Sequence, residues 1–427
     1  MVALLEPPET SAPVTPSQVS SRRNQRSSIV GKLLLLAGSV AFAFVLAEGM
    51  LRLLVPVTDV PYYFFDPVVG PRRQPGTSGN YVSEPDVRGS YSFNAQGWNH
   101  PRDYEILKPA GTRRVCVVGD SFVEALQVSP EQALFSVAER TMSTADQPVE
   151  WYAFAISGWG TTQQLEVIRH YVMDYAPDRV VLLFVENDPW DSSPYLGTIE
   201  PQIATYYLDT ADELVLLPPQ YWERSWPKRL AMQSALVRYF ALQKGWIHSA
   251  AAGQANDDGV QRRAAAFAES GHRVPGALDL DQSRRAARTW LLIEKTLAAA
   301  RDVCRAGGAE LMVAFRGNLD EIESLVTGDP YVAAPASVDP YCLGARRGEM
   351  GREQLAPMLS RLGIPYLDLT DALMAKVSET GRSHVFACDT HYNADAHQAV
   401  GQAMAAWVDS TWSERSETDD VAAGDAP

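Results

Sequence analysis

The longest apolar stretch of the chain lies near its N-terminus, between Ile29 and Val55, and its centre carries no charge. A helix of about 20 mostly apolar residues is long enough to cross a bilayer. The pattern therefore predicts a transmembrane anchor over residues 29–55. A cleaved signal peptide is the alternative, because Ala41-Phe42-Ala43 could supply a cleavage site.

The flanks of this stretch predict its orientation. Residues 1–28 are rich in Pro, Ser, Thr and Gln, which predicts a disordered segment. Cytoplasmic flanks of membrane helices are enriched in Lys and Arg. Basic residues stand at or before the start of the stretch and few follow it: Arg22, Arg23, Arg26 and Lys32. The N-terminus is therefore expected in the cytoplasm, and the rest of the chain on the other side of the membrane after a single pass.

Beyond the anchor, apolar runs of strand length alternate with helical patterns. The apolar runs are Val115–Val118, Val149–Ile156, Val180–Val185, Leu311–Phe315 and Ile364–Leu367. Helices are predicted from about residue 129, over 161–175, 281–305 and 350–362, and from Asn393 to about Val408. This alternation is typical of an α/β fold in which helices cover both faces of a parallel sheet.

Three segments interrupt the alternation and predict the domain boundaries. Residues 56–111 are rich in Pro, Gly and aromatic residues, which predicts a membrane-proximal extension of loops and short strands. The main domain is expected over 112–410, with an insertion at about 190–280 that has its own helices. The acidic residues 411–427 are expected to be disordered.

Composition narrows the functional class. The 427-residue chain is 46% apolar and 21% charged, which is ordinary for a folded protein with a large core. Its net charge of −15 disfavours nucleic-acid binding, which needs a basic surface. Four cysteines form no C-x-x-C pair, which argues against a zinc ribbon or a thioredoxin-type site. No zincin, P-loop, dinucleotide-binding or G-x-S-x-G motif occurs.

Polar motifs follow three of the predicted strands: Gly119-Asp120-Ser121, Ser157-Gly158 and Asn187-Asp188. In open parallel sheets, ligands bind beyond the carboxyl ends of the strands. The sheet is therefore expected to bring these motifs together. Each motif also has an ordinary structural interpretation, because Gly-Asp-Ser and Ser-Gly are common turns and Asn187 could cap a helix.

A nucleophilic serine needs a base, and His391 has the most suitable context of the seven histidines. Asp389 stands two residues before it, on the same side of an extended segment. Asp389 could thus orient His391, whose other ring nitrogen would face Ser121. Candidate donors to an oxyanion are the N–H groups of Ser121 and Gly158 and the side-chain amide of Asn187. Asp389-Thr390-His391 could instead be an exposed loop or half of a metal site.

Together these motifs resemble the SGNH/GDSL hydrolase family, with Ser121 in Val118-Gly119-Asp120-Ser121-Phe122, then Gly158, Asn187 and His391. Asn393 and Gly401 are similar to the end of the family's last block. The resemblance covers about residues 112–410. It implies a flavodoxin-like three-layer α/β/α sandwich and acyl-ester chemistry with no metal or organic cofactor.

By this resemblance, Ser121 is the nucleophile, His391 the base and Asp389 the orienting carboxylate, and Ser121, Gly158 and Asn187 form the oxyanion hole. Asn94-Ala95-Gln96-Gly97, together with the anchor, resembles bacterial members held at the inner membrane with an extracytoplasmic domain.

The sequence departs from the family at two places. The family places its aspartate three residues before the histidine, whereas Asp389 stands two before His391. The Asp-x-His spelling is similar to members that acetylate exopolysaccharides, although there the pair precedes the serine block. Ser121 is also followed by Phe122-Val123 instead of the leucine that names the GDSL pattern.

Two further features have open interpretations. Trp159, Trp190 and Tyr392 could stack on sugar rings, although aromatic residues more often fill cores. Cys342 and Cys388 could form a disulfide that braces the histidine loop, or remain free thiols.

The sequence thus predicts a membrane-anchored extracytoplasmic serine esterase that removes acyl groups, most plausibly O-acetyl groups, from a glycan or another envelope ester. The alternatives are a polysaccharide O-acetyltransferase and a noncatalytic envelope protein that binds a glycan or a protein partner.

Overall fold

A computed structural model describes residues 20–83, 85–196, 201–221, 223, 226–244, 280–327, 350–387 and 389–424. Cys342 and Cys388, and with them the disulfide considered above, lie outside these residues. The chain divides into two compact units. The smaller is Met1–Pro56 with Ser234–Leu236, and the larger is Val57–Gln233 with Val237–Pro427.

The smaller unit is built on one long helix, α1 (Ser20–Leu54). Its segment Ile29–Leu54 is apolar and long enough to cross a membrane, at about 39 Å for 26 residues. The apolar side chains of this segment are exposed, unlike those of a helix in a soluble core. Residues 20–28, expected to be disordered, are helical, since no proline or glycine interrupts the chain between them and the apolar segment.

Near the C-terminal end of α1, Glu48 organises the rest of this unit. Its carboxylate accepts hydrogen bonds from Ser234 Oγ at 2.9 Å, Ala235 N at 2.8 Å and Leu236 N at 3.0 Å. Arg52 donates to the same carboxylate from one turn further along the helix. These bonds attach Ser234–Leu236 to α1 and make them part of the smaller unit.

The extension predicted over 56–111 consists of two antiparallel hairpins in the larger unit. The first pairs β1 (Tyr63–Asp66) with β2 (Gly70–Arg73), and the second pairs β3 (Ser78–Ser83) with β4 (Val87–Ser92). Several apolar residues of this segment are buried, among them Val69, Tyr91 and Trp98, whereas Ile106 and Leu107 are exposed.

A five-stranded parallel sheet forms the centre of the larger unit. Its strands in chain order are β5 (Arg113–Gly119), β6 (Val149–Ala155), β7 (Arg179–Phe184), β10 (Glu310–Phe315) and β11 (Tyr366–Asp368). Their spatial order is β11-β10-β7-β5-β6. Between β7 and β10, the chain forms the hairpin β8 (Thr205–Leu208) and β9 (Leu214–Leu217). The last hairpin is β12 (Val385–Phe386) with β13 (Asp389–Tyr392).

Helices cover both faces of the sheet, as the alternation of the sequence predicts. The other helices in the described part of the chain are α2 (Ser121–Glu124), α3 (Leu134–Met142), α4 (Thr161–Val167), α5 (Asp188–Ser192), α6 (Trp226–Ala231), α7 (Ala235–Arg238), α8 (Gln282–Ala306), α9 (Leu319–Thr327), α10 (Ala356–Leu362), α11 (Thr370–Thr380) and α12 (Ala394–Gly424). Short π-helical turns are Ile168–Val172, Tyr239–Gln243 and Gly351–Leu355, and Met173–Tyr175 is a 3-10 turn.

Strand β7 shows how the three layers form. Successive side chains of a strand point to opposite faces of the sheet. Leu182 and Phe184 belong to a core shared with α4, α8 and α10, whereas Val181 and Leu183 belong to a second core shared with α3, α11 and α12. A run buried on both faces therefore has to be apolar throughout. The predicted α/β/α sandwich with a parallel sheet and one N-terminal apolar helix is confirmed.

Two further elements differ from the prediction. Helix α12 continues to Gly424 instead of ending near Val408, so most of the tail expected to be disordered is helical. Neither glycine nor proline occurs between Gly401 and Gly424, and Trp412 near the middle packs against Arg113 and Arg179 at 4.9 Å. The insertion contains the hairpin β8–β9 as well as the expected helices. Tyr206 and Leu208 of β8 belong to the hydrophobic core.

Among the described residues, three histidines are buried without charge: His100, His384 and His397. Burial lowers the pKa of each to about 3. His100 lies on the extension side, where its ring nitrogens face the carbonyl oxygens of Arg102 and Trp151. In the unfolded chain such a ring takes up a proton near pH 6.5, whereas in the folded chain it stays neutral. Its burial therefore costs stability increasingly as the pH falls from about 6.5 toward 3.

We expect the cost of His100→Gln to shrink on acidification, since glutamine carries no such protonation penalty. The difference in unfolding free energy between the two chains should become smaller by about 2 kcal/mol between pH 7 and pH 5. Urea unfolding at both pH values measures it. A difference that does not change with pH would contradict a neutral buried His100.

Candidate active site

Ser121 lies where β5 gives way to helix α2. Asp120 caps this helix, because its Oδ1 accepts a hydrogen bond from Phe122 N at 2.9 Å. The turn is tight: a Cβ on Gly119 would lie 2.5 Å from Cγ2 of Val123. The glycine and the capping aspartate of the sequence motif therefore allow a sharp strand-to-helix turn that presents Ser121, which is half-buried, at the sheet edge.

The three residues predicted to act together do lie together. His391 Nε2 is 2.6 Å from Ser121 Oγ, although the residues are 270 positions apart. On the other side of the ring, His391 Nδ1 is hydrogen-bonded to Asp389 Oδ1. Strand β13 carries both residues, so their spacing of two places both side chains on one side. A chain of hydrogen bonds thus runs from carboxylate through imidazole to hydroxyl.

Asp389 is held as an anion. Burial alone would raise its pKa, but hydrogen bonds from the ring and the backbone of His391, and the charge of that ring, lower the pKa below its ordinary value. Gln127 Nε2 adds a longer contact of 3.4 Å to Asp389 Oδ2. A carboxylate that stays charged can orient the imidazole and stabilise its protonated form.

The Ser157-Gly158 turn at the end of β6 faces the same edge. Gly158 has a φ of +81°, and a Cβ built on it meets nothing within 4 Å. The backbone N–H groups of Ser121 and Gly158 donate no hydrogen bond to any residue in the described part of the chain. They are therefore free to bind an oxygen of a ligand.

Asn187 is also at this edge, but its amide group is engaged. Nδ2 donates to Asp191 Oδ2 at 2.7 Å and, more weakly, to Asp120 Oδ2 at 3.4 Å. Asn187 follows β7 and immediately precedes helix α5, so the prediction that it stands at a strand end is correct. The sequence did not predict its hydrogen bonds to Asp120 and Asp191.

These neighbours belong to a group of three carboxyls, of which Asp120 and Asp188 are buried and Asp191 is half-buried. Burial raises the pKa of each, that of Asp191 to about 7, and the charge of Asp120 raises the pKa of Asp188 further. At neutral pH the group therefore does not carry its full negative charge. Within the described residues, no cluster of three or more His, Cys, Asp or Glu side chains has the arrangement of a metal site.

Sequence reasoning missed the basic side of the site. Arg316 follows strand β10 and is buried, and its guanidinium pairs with the Glu186 carboxylate. It lies 4.9 Å from the ring of Phe122, and this ring also contacts the His391 ring at 4.8 Å. The position of Arg316 directly after an apolar run was the signal that could have identified it.

Two of the three aromatic residues proposed for sugar stacking are core residues, which corrects that expectation. Trp159 is 1% exposed and packs edge-on against Trp98, and Tyr392 is fully buried with its hydroxyl on the carbonyl of Arg316. Neither ring has a free face. Trp190 is half-buried and lies on helix α5, which begins directly after Asn187.

No protein-family model matches the chain, and no curated protein sequence matches it. Several solved structures do match the chain. The match to an acetyl xylan esterase, AlAXEase, covers 69% of this chain and 99% of the esterase chain, with 12% identity and a TM-score of 0.35. The psychrotrophic esterase EstA from Pseudoalteromonas sp. covers 71% and 99%, with 8% identity and a TM-score of 0.35. A lipolytic protein of the G-D-S-L family from Veillonella parvula covers 68% and 94%, with 12% identity and a TM-score of 0.32.

A matched pair of glycine substitutions tests the free N–H of Gly158. Gly158 and Gly308 share a φ of +81°, and a Cβ on either meets nothing within 4 Å, but Gly308 lies in the turn after α8. Alanine should destabilise either site by about 1 kcal/mol through backbone strain. Only Gly158→Ala should also slow the reaction of Ser121 with a fluorophosphonate, by at least about tenfold, because the strained turn moves the N–H. Equal labelling rates in the two variants would contradict a role for this N–H.

Proposed function

We propose that this chain is a membrane-anchored serine esterase of the SGNH/GDSL type, which removes acyl groups, O-acetyl first among them, from a glycan or another ester of the cell envelope. The observation that carries the proposal is the hydrogen-bonded chain Ser121–His391–Asp389, with Ser121 Oγ 2.6 Å from His391 Nε2. Because all three residues are present and hydrogen-bonded to one another, the site favours an enzyme over a noncatalytic binding protein.

In the first half of the reaction, Ser121 Oγ attacks the carbonyl carbon of the ester while His391 Nε2 takes the hydroxyl proton. The carbonyl oxygen becomes an oxyanion, which the N–H groups of Ser121 and Gly158 bind. The bond to the leaving oxygen then breaks, and His391 returns the proton to the departing alcohol. Acyl-Ser121 remains.

In the second half, water replaces the alcohol. His391 takes a proton from the water as its oxygen attacks the acyl carbon. The same two N–H groups bind the second oxyanion. When the bond to Ser121 Oγ breaks, His391 gives the proton back to Ser121, and a carboxylic acid leaves. Asp389 stays ionised throughout and stabilises the protonated imidazole formed in each half.

Asn187 is proposed as the third oxyanion donor. Its weaker contact, 3.4 Å to Asp120 Oδ2, is the one that a ligand oxygen would replace. The 2.7 Å contact to Asp191 Oδ2 would meanwhile keep the amide oriented. A third donor obtained in this way costs little, because a long hydrogen bond is exchanged for a short one to an anion.

The proposed location is the outer side of a bacterial inner membrane, with α1 as a single-pass anchor and the N-terminus in the cytoplasm. Exposed apolar side chains along Ile29–Leu54 support membrane insertion. Basic residues at the N-terminal flank support the orientation. An esterase held there would meet glycans and other esters of the envelope. Of the three aromatic residues considered for sugar contact, Trp190 is the one that is not fully buried.

O-acetyl transfer to a polysaccharide is the second candidate. The observation that favours it is the Asp-x-His spelling of Asp389 and His391, which resembles that of exopolysaccharide-acetylating proteins. The chemistry differs only in the second half, where a sugar hydroxyl takes the place of water.

Covalent labelling tests the proposed nucleophile. The full chain in phospholipid nanodiscs should form a fluorophosphonate adduct on Ser121, detectable by mass spectrometry. Ser121→Ala should abolish the adduct, and substitution of the exposed Ser410 by alanine should not. Asp389→Asn should reduce kcat for an activated acetyl ester by about 10³- to 10⁴-fold. A folded chain that forms no adduct on Ser121 would refute the proposal.

Product analysis separates the two candidate activities. With an acetylated oligosaccharide and an excess of the unacetylated form, we expect acetate to be released to water as the main product. The matched control is Ser121→Ala, which should give neither product. Acetyl groups recovered mainly on the unacetylated oligosaccharide would establish transfer instead of hydrolysis.

A further inference from the structure

We infer that the extension before the serine block supplies a positioning residue for the active site: Arg73, acting through Glu124, holds the Ser157-Gly158 turn in register with Ser121. The inference rests on the proposed function, and it adds a residue that none of the sequence motifs includes. It also gives the extension a role in the reaction, besides linking the anchor to the main domain.

Arg73 and Glu124 form a buried ion pair between β2 and α2. The residues are 2% and 1% exposed. Arg73 Nε lies 2.5 Å from Glu124 Oε1, and Arg73 Nη2 lies 2.9 Å from Oε2, so the guanidinium binds both carboxylate oxygens. Two parallel bonds of this kind define the orientation of the carboxylate as well as its position.

The same carboxylate binds the turn that carries Gly158. Glu124 Oε2 accepts a hydrogen bond from Ser157 N at 2.9 Å and another from Ser157 Oγ. Glu124 is the last residue of the helix that begins with Ser121. One side chain therefore connects the nucleophile's helix to the residue before Gly158, whose N–H is proposed to bind the oxyanion.

Arg73 is itself firmly placed. Its Nη1 donates to the carbonyl of Pro61 at 2.8 Å, and its guanidinium lies 4.0 Å from the centre of the Tyr63 ring. The extension makes a second contact with α2 through Asn99, whose Nδ2 donates to the carbonyl oxygen of Glu124 at 2.7 Å. The position of Glu124 is thus determined by the extension as well as by its own helix.

A buried carboxylate without its cation would take up a proton or draw in water. Either change would release the Glu124 carboxyl from the two bonds that orient it, and so weaken its hydrogen bonds to the N–H and the hydroxyl of Ser157. The Gly158 N–H would then shift relative to Ser121. Displacements of about 1 Å near a reacting group cost up to about 100-fold in rate. The loss should fall on kcat, because the oxyanion forms only after the substrate has bound.

The neighbouring residue provides a matched control. Arg72 is on the same strand, is also buried, and pairs with Asp66 at 3.0 Å, but it faces Trp98 and Tyr171 instead of α2. Arg72→Lys should therefore affect stability without changing kcat. Comparing it with Arg73→Lys separates positioning from general destabilisation.

The experiment measures kcat, KM and thermal stability for an activated acetyl ester, with the full chain in nanodiscs. Lysine keeps the charge but cannot make the two parallel bonds that orient Glu124, so we expect Arg73→Lys to lower kcat by about 10- to 100-fold with KM within about twofold. Arg72→Lys should keep kcat within about twofold. The acid side of the pH–rate profile should be unchanged in both, since Asp389 and His391 are untouched.

A second variant is informative if Arg73→Lys does not fold. Arg73→Met with Glu124→Gln leaves no unpaired buried charge, and such neutral replacements are often tolerated. This double variant should fold and still show a kcat reduced by about tenfold or more. A kcat equal to that of the Arg72→Lys control, in either Arg73 variant, overturns the inference. If the unsubstituted folded chain neither hydrolyses the ester nor labels at Ser121, the proposed function itself fails.

Discussion

Parallel pairing of β7, β5 and β6 is the constraint on which the site depends. Parallel neighbours in a sheet end at the same edge, so whatever follows each strand is delivered to one place. Ser121, Gly158 and Asn187 follow these three strands, and their meeting requires no long-range recognition beyond correct strand order. The apolar runs that are buried on both faces secure that order, because displacement of a strand would expose apolar side chains to water.

The site contains more ionisable groups, most of them buried, than the proposed reaction uses. Asp389 is kept ionised by its hydrogen bonds to His391, whereas Asp120, Asp188 and Asp191 are pushed by burial toward the protonated form. Glu124 and Glu186 each have a buried arginine as partner. An ion pair of this kind contributes little net stability, but leaving one partner alone is costly. Such pairs therefore define geometry, since the chain can bury the charges only in one arrangement.

The site residues differ in how far local pattern could identify them. Ser121, Gly158 and Asn187 were placed by rule, because each follows an apolar run, and Asp389 with His391 followed from the two-residue period of a strand. Trp159 and Tyr392 were considered as sugar contacts or as core residues, and both lie in the core; the sequence left this open because an aromatic residue near a strand end can face either the core or solvent. The helical tail was missed because an acidic composition was given more weight than the absence of helix-breaking residues.

The apolar N-terminal helix, the three-layer α/β architecture and the residue types at the strand ends could be predicted from the sequence, because these depend on periodicity and on neighbours within a few positions. Which distant groups meet could not be predicted in this way. The 2.6 Å contact across 270 residues, the Arg73–Glu124 pair across 51 residues and the two carboxylates on Asn187 all depend on how separate elements pack. Burial and charge pairing are properties of that packing, and no local pattern encodes them.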